Sequence, residues 1–390
     1  MWDVYEPFIK TKRQSHLFKL SEQLAGKIHK RASETDRKGT FSLENLEDLK
    51  KSNYVSLSLP KESGGEGLSL YEFVLLQEKL AEGDASVALS IGWHLGIIME
   101  IRDESLWEPA AFEWLCSEVA NHKKTINRAA TEPATGSPTR GGIPETKAIK
   151  SEIGYTINGR KSFTTMADVL NYFLVSAYIE ESDEIAWFLI DKEQPGVSVD
   201  HTWDTLGMRG TGSDDLVLTD VQVDSARLVE RKSDKRRNPL PKGWLLHIPA
   251  CYLGIAIAAR NEAIEFAKNY QPNSLQTTIS EVSHVREKIG QMDLELLNAR
   301  HFMYAIAEKW DRYPEERMKL GPELASVKTI ATNTANKVVD LAMRIVGGRG
   351  LSKSSNFERY YRDVRAGLHN PPMDDAVIQT LALRALDDDQ

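Results

Sequence analysis

Apolar residues recur at i, i+3 and i+4 through residues 14–35, 43–52 and 70–83, the mark of helices that bury one face. Asp84-Ala85-Ser86 offers an N-cap to a further helix over 87–101, apolar nearly all round and so expected to lie inside. After residue 125 the period shortens. Residues 171–178 and 184–191 are short β-branched and aromatic runs, 216–223 alternates apolar with polar, and Asn158-Gly159 is a two-residue hairpin signal. No helix of crossover length separates these runs, which favours a small barrel or sandwich over βαβ units. Helical periodicity returns over 244–268, 283–310, 321–346 and 373–386, enough for an antiparallel four-helix bundle. The pattern predicts an α+β chain in three parts: a helical domain over 1–125, a β-barrel or sandwich over 126–232 and a four-helix bundle over 233–390. At 1.5 Å per residue the helix over 321–346 would run ~38 Å, longer than one domain needs, so an oligomer is expected.

The chain has 390 residues, of which 41% are hydrophobic and 27% charged, enough for a large core. The net charge of -8 is spread without a basic stripe, which argues against nucleic acid as a partner. The opening MWDVYEPFIKTKRQ has no apolar core of a secretory signal. No apolar run approaches the ~20 residues of a membrane span, so the expected address is cytoplasmic, with no membrane partner. Cys116 and Cys251 lack ligand-like spacing and read as core thiols, with no metal expected. No GxGxxG or GxxxxGK[ST] precedes a helix, which argues against a nicotinamide site or an NTPase. The connector over 231–241 is basic and reads as a solvated loop.

Residues 128–165 are organised differently. Thr131, Thr135, Ser137 and Thr139 set four hydroxyls around Gly136, a donor-rich loop suited to a polar cofactor; an ordinary connecting loop has the same composition. The stretch ends on Phe163-Thr164-Thr165, an aromatic plate beside two hydroxyls. TEPATGS, NGRKSFTT and TLGMRGTGS follow one another in an order that resembles the acyl-CoA dehydrogenase family, where T-E-P-x-x-G-S, N-G-x-K-x-[WF]-x-T and L-G-x-R-G-[ST] mark the flavin-holding β-domain. Residues 342–350 (AMRIVGGRG) and 361–365 (YRDVR) resemble its A-x-Q-x-x-G-G-x-G and R-D-A-[RK]. The resemblance spans the whole chain.

It implies FAD, with FMN as the alternative. Thr131 would meet the pyrimidine edge of the isoalloxazine, Ser137 the pyrophosphate, Phe163 the ring face and Thr165 N5. Arg344, Gly347 and Gly348 would reach a flavin held mainly by a neighbouring subunit in a homotetramer or homodimer. Donors fixed near N1 and the C2 oxygen stabilise a reduced, negatively charged flavin.

The departures bear on the chemistry. The dehydrogenases use a glutamate to remove an α-proton, yet where most carry Y-E-G-T this sequence has Gly367-Leu368-His369-Asn370-Pro371-Pro372. The position of an alternative glutamate holds Trp244, followed by Leu245, and the family's R-x-x-F-G is missing from 271–280. Asp374 and Asp375 read as helix N-terminal charges or as displaced bases. His369 and His94 resemble features of the family's reduced-flavin-dependent monooxygenase branch, where an imidazole near N5 protects or protonates the oxygenated flavin; His369 reads equally as a loop residue bonded to a carbonyl, while a lone buried histidine such as His94 is more often a hydrogen-bonded core residue than a catalyst. Three functions stay open. The leading expectation is α,β-dehydrogenation of an acyl-CoA thioester with electrons passed to FAD, fatty acid metabolism as its setting and a separate electron acceptor; the alternatives are oxygenation or oxidation of a small apolar or aromatic substrate, supplied by a flavin reductase, and flavin or acyl binding without turnover.

Overall fold

Short polar residues open the helices of the N-terminal third. In the computed structural model, which describes residues 4–135, 142–231 and 240–387, Thr11 and Ser42 accept the backbone N–H of Gln14 and Asn45 to start α1 (Lys12–Lys38) and α2 (Leu43–Lys51). Ser69 and Glu72 form a reciprocal capping box at α3 (Leu70–Gly83), and Asp84 accepts from Ser86 to open α4 (Ala85–Glu104). The expected apolar helix is thus present and buried on nearly every side. A further helix, α5 (Pro109–His122), leads to the sheet.

Eight strands follow: β1 (Ile126–Ala129), β2 (Lys147–Lys150), β3 (Gly154–Lys161), β4 (Tyr172–Ile179), β5 (Glu184–Asp191), β6 (Val197–Asp200), β7 (Asp215–Asp224) and β8 (Leu228–Arg231). They pair in the order β6-β7-β3-β2-β4-β5-β8, with β1 parallel to β4. The hairpin expected at Asn158-Gly159 is not there. Both residues lie inside β3, at a register shift opposite β7, and the turn that joins β2 to β3 closes between Ser151 and Gly154. Asn158 instead exchanges hydrogen bonds with Asp220, 3.0 Å to its carboxylate and 2.8 Å from its N–H. Gly159 is required by proximity, since a Cβ there would stand 2.4 Å from Thr146 Oγ1.

The C-terminal part contains α6 (His247–Asn269), α7 (Ser283–Arg312), α8 (Gly321–Val346), α9 (Asn356–Ala366) and α10 (Asp374–Asp387). Four of these are the expected bundle helices; α9 carries the YRDVR motif. α6 is the central element, packed against α3, α4, α8 and α9. With the turn before it, Gly243–Asn269 has mean hydropathy 1.2 over a window long enough to cross a membrane, which corrects the expectation that no run approaches a span. That window is 89% buried inside the protein, as a core helix should be. Charges inside this core are paired: Arg300 of α7 meets Glu78 of α3 at 2.8 Å, and Tyr304 donates to the same carboxylate at 2.7 Å. Cys116 and Cys251 are buried free thiols.

Candidate functional site

The Thr131 loop and the Phe163 run meet through the backbone, where Ser162 N–H donates to Thr131 O at 2.9 Å. A buried ion pair lies under this junction. Lys161 Nζ is 2.5 Å from Glu132 Oε1, with side chains 0% and 1% exposed. Glu132 also accepts from Thr146 Oγ1 at 2.7 Å and from the N–H of Glu145 at 2.6 Å. Burial opposes ionisation of Glu132, but the hydrogen bonds from Lys161 and Thr146 outweigh it and hold the carboxyl below its ordinary range. Burial brings Lys161 down to about 8 against the pull of its partner. Neither residue was singled out from sequence, although alternation along β3 sets Lys161 on the inward side with Tyr155 and Ile157.

Above the pair, Phe163 takes a left-handed φ of 56° and is 63% exposed, with Trp203 edge-on at 5.8 Å. Left-handed backbone is rare for a bulky residue, and here it displays an aromatic face. Thr164 beside it is fully buried, and its Oγ1 has no partner among the described residues. Thr165 Oγ1 lies 3.0 Å from Ser213 Oγ, which lies 2.8 Å from Thr211 Oγ1, and Asn127 Nδ2 donates to Thr165 O at 3.1 Å. Thr164 N–H donates to Asp214 O and Met166 N–H to Thr211 O. The structure therefore brings Thr131, Phe163 and Thr165 together and binds them to the TLGMRGTGS run.

That run is gripped from the C-terminal side. Asp363 accepts the N–H of Met208 at 2.6 Å, and Arg362 binds Asp36 at 2.7 Å, Glu358 at 2.8 Å and Leu206 O at 3.1 Å. Burial, with repulsion from Asp84, pushes Asp363 up to about 7; burial likewise raises Asp84 to about 6.

His94 sits apart from the expected catalytic role. It is fully buried; its Nδ1 accepts from Ile126 N–H at 3.1 Å and its Nε2 lies 2.8 Å from Val55 O. Both ring nitrogens are thus engaged by backbone, Nε2 carries the proton, and burial lowers the pKa to about 4. His369 is exposed and makes no side-chain hydrogen bond among the described residues. Its neighbour Asn370 is held by Tyr252 Oη at 2.6 Å. Asp374 accepts from Asn333 at 2.7 Å and lies 3.5 Å from Lys328 Nζ, so it ties α10 to α8; Asp375 is exposed. Arg344 is exposed and bonded to Asp340 at 2.7 Å. Gly347 and Gly348 are exposed with nothing near their Cβ positions, and among the described residues they share no hydrogen bond with the Thr131 group. Ser137 and Gly136 lie outside the described residues. Asp168, His201 and Asp214 bring ligand atoms within 4.8 Å of one another, but Asp214 Oδ1 already accepts the N–H groups of Thr202 and Trp203 at 2.9 Å.

An outward aromatic face, a buried hydroxyl without a partner and a chain of hydroxyls fit a flat heterocycle with polar edges. Acyl-CoA dehydrogenase family models match in order: the N-terminal domain over 17–104, the middle domain over 127–221 and the C-terminal domain over 246–368. A "Putative acyl-CoA dehydrogenase YdbM" from Bacillus subtilis is 49% identical over 380 residues, covering 97% of this chain and 99% of that one. The chain belongs to the acyl-CoA dehydrogenase family. It has the acyl-CoA dehydrogenase fold, with a half-barrel β-domain between two helical domains, and is a flavoprotein oxidoreductase of that type. A dibenzothiophene monooxygenase from Rhodococcus qingshengii is 25% identical over 381 residues, 89% of this chain and 88% of that one. The FMN-bound structure of TdsC from Paenibacillus sp. A11-2 superposes with TM-score 0.87 at 23% identity, over 96% of this chain and 98% of that one.

Proposed function

We propose that this acyl-CoA dehydrogenase family protein is a monooxygenase that uses reduced flavin, supplied by a separate reductase, to oxygenate a small apolar or aromatic substrate. One observation carries the reading. The corner over residues 367–372 holds no carboxylate, and its one titratable side chain is the exposed, unpaired imidazole of His369. An α-proton of an acyl thioester needs a positioned base of carboxylate type in this family, whereas an imidazole, which can carry a proton on one nitrogen and accept one on the other, suits proton delivery.

Bound reduced flavin would supply the electron pair that lets dioxygen give one atom to the substrate and leave the other as water. The chain's own residues do the rest. Phe163 would pack on the ring, Thr131 and Thr165 would hydrogen-bond its polar edge, Ser137 would meet the phosphate, and Arg344, Gly347 and Gly348 would close the site from a second copy of the chain. His369 would hold and release a proton, with its corner braced by Tyr252. We assign His94 the structural role of tying α4 to β1. The missing R-x-x-F-G over 271–280 and the FMN of the TdsC structure favour FMN over FAD.

The test supplies the FMN-loaded protein with a flavin reductase, labelled dioxygen and an apolar aromatic such as dibenzothiophene. Label in the product supports the reading; none across a panel of such substrates rejects it. The YdbM relative's name favours a second reading, acyl thioester oxidation. Anaerobic titration with acyl-CoAs separates the two, because bleaching of the flavin absorbance selects the dehydrogenase.

A further inference from the structure

Three turns of the β-domain bring a histidine and two carboxylates to one point beside the Phe163 run. Asp168 lies in the turn that follows Thr165, His201 follows β6 and Asp214 precedes β7. His201 Nδ1 stands 3.6 Å from Asp168 Oδ2 and 3.6 Å from Asp214 Oδ2, and one ligand atom from each residue lies within 4.8 Å of the others. No spacing in the sequence announces this set, because three separate segments supply it.

The distances decide between two uses of these groups. A protonated His201 paired with a carboxylate would close to a hydrogen bond of about 2.7–3.2 Å, and its single Nδ1–H cannot serve two carboxylates at once. At 3.6 Å it serves neither. Two ligands each ~2.1 Å from one tetrahedral zinc ion stand ~3.4 Å apart, close to the separations in this group. The ligand atoms are also uncommitted. The Asp214 side chain is 5% exposed, and its Oδ1 accepts the N–H groups of Thr202 and Trp203 at 2.9 Å each. Those two donors fix the carboxylate as an outer shell fixes a metal ligand, and they leave Oδ2 facing His201 with no hydrogen bond among the described residues. The Asp168 carboxylate and the His201 ring make none either, since Lys192 binds the main-chain O of Asp168 and not its carboxylate. Asp168 and His201 are exposed, which gives an ion an entry path and leaves a position for water.

We infer that Asp168, His201 and Asp214 form a binding site for a divalent transition-metal ion of the zinc type. An imidazole with two carboxylates suits such an ion, while magnesium and calcium favour oxygen ligands throughout. The ion joins the turn after Thr165 to the loop that sets Trp203 against Phe163: Thr164 N–H donates to Asp214 O at 3.1 Å, and Trp203 is edge-on to Phe163 at 5.8 Å. It is a clip on the backbone that displays the aromatic face and takes no part in the chemistry, so it is independent of which reaction the chain performs.

The test uses the full chain without an affinity tag, stripped with a chelator and titrated calorimetrically with Zn2+, Mn2+ and Mg2+. One Zn2+ should bind per chain, with Mn2+ weaker and Mg2+ weaker still. Loss of an outer-shell partner typically weakens a metal site by about 10–100-fold, so loss of a ligand should weaken it at least as much: His201→Gln and Asp168→Asn should each lower zinc affinity by about tenfold or more. Both side chains are exposed, so neither substitution disturbs the core. Asp214 is left unaltered because its Oδ1 supports the loop. At a hundredfold excess over Kd, zinc should raise the melting temperature of the unaltered chain by about 3 °C, and that rise should disappear in His201→Gln. No zinc binding, Mg2+ bound as tightly as Zn2+, zinc binding that persists unchanged in both variants and so belongs to other surface histidines, or an unchanged melting temperature would each overturn the inference. If one variant does not fold, the other decides.

Discussion

Lys161 and Glu132 show what a single residue contributes beneath the site. The pair joins the Thr131 loop to β3 with both side chains almost without exposure. Removing one partner strands the other charge in a buried place, at a cost of about 3–5 kcal/mol, while replacing both by apolar groups costs much less. Lys161→Met should therefore lower the melting temperature by more than about 6 °C, and Glu132→Leu with Lys161→Met should recover part of that loss. A double variant no more stable than the single one would show that the stranded charge is not the cause. Asp363 makes a pH-dependent contribution of the opposite kind. Its carboxyl titrates at about 7 in the folded chain, against ~3.9 unfolded. Between these values the folded state binds more protons, so its stability is fully present below about pH 4 and declines as pH rises through 7. Asp363→Asn keeps an oxygen for Met208 N–H and should flatten this decline in thermal melts taken from pH 4 to 8. An unchanged slope would move the effect to Asp84 or elsewhere. His369 is exposed and makes no side-chain hydrogen bond among the described residues, so under the oxygenase reading His369→Ala should leave the melting temperature within about 1 °C and raise the ratio of hydrogen peroxide released to product formed. An unchanged ratio would remove His369 from proton delivery.

At the scale of elements, what could be read from the chain follows from how each one is buried. α1, α3 and α8 were legible because an apolar stripe meets the core at the helical period. α9 was not, because its inward face includes Arg359 and Asp363, charged residues that read as solvent-facing until their partners from other segments are known. Asn158-Gly159 misled for a related reason. An Asn-Gly pair signals a hairpin when its flanking strands pair with each other, but here β3 continues through it and pairs with β7, about 60 residues away. In the site, the order of Thr131, Phe163 and Thr165 in the sequence pointed to a flavin loop, while the partners of His94 are backbone groups of Val55 and Ile126 that only the fold brings together. α6 offers a test of element packing. A Cβ on Gly254 would lie 2.4 Å from Glu78 O and 2.6 Å from Ala81 Cβ, so α3 and α6 approach backbone to side chain. Gly254→Ala gains about 1 kcal/mol of helix propensity yet must part the two helices, an overpacking cost of about 1–3 kcal/mol. The melting temperature should fall; a rise would mean that α3 shifts freely.

At the scale of the molecule, one guanidinium connects all three parts of the fold. Arg362 of α9 binds Asp36 near the end of α1 with both amino groups, at 2.9 Å and 2.7 Å, and donates to Leu206 O in the β-domain run that supports Thr165. Backbone proximity reinforces it, since a Cβ on Gly207 would stand 2.2 Å from Arg362 O. The run that supports Thr165 is therefore positioned by contacts from both helical domains, not by the sheet alone. Lysine keeps the charge but loses the planar fork that spans these acceptors. Arg362→Lys should cost about 2 kcal/mol of stability, and by loosening the TLGMRGTGS run it should also weaken FMN binding, about tenfold by fluorescence quenching. The joint outcome is the informative one. Lower stability with undiminished flavin affinity would mean that the three parts cohere through Arg362 while the Thr165 hydroxyl chain keeps its geometry from the β-domain by itself.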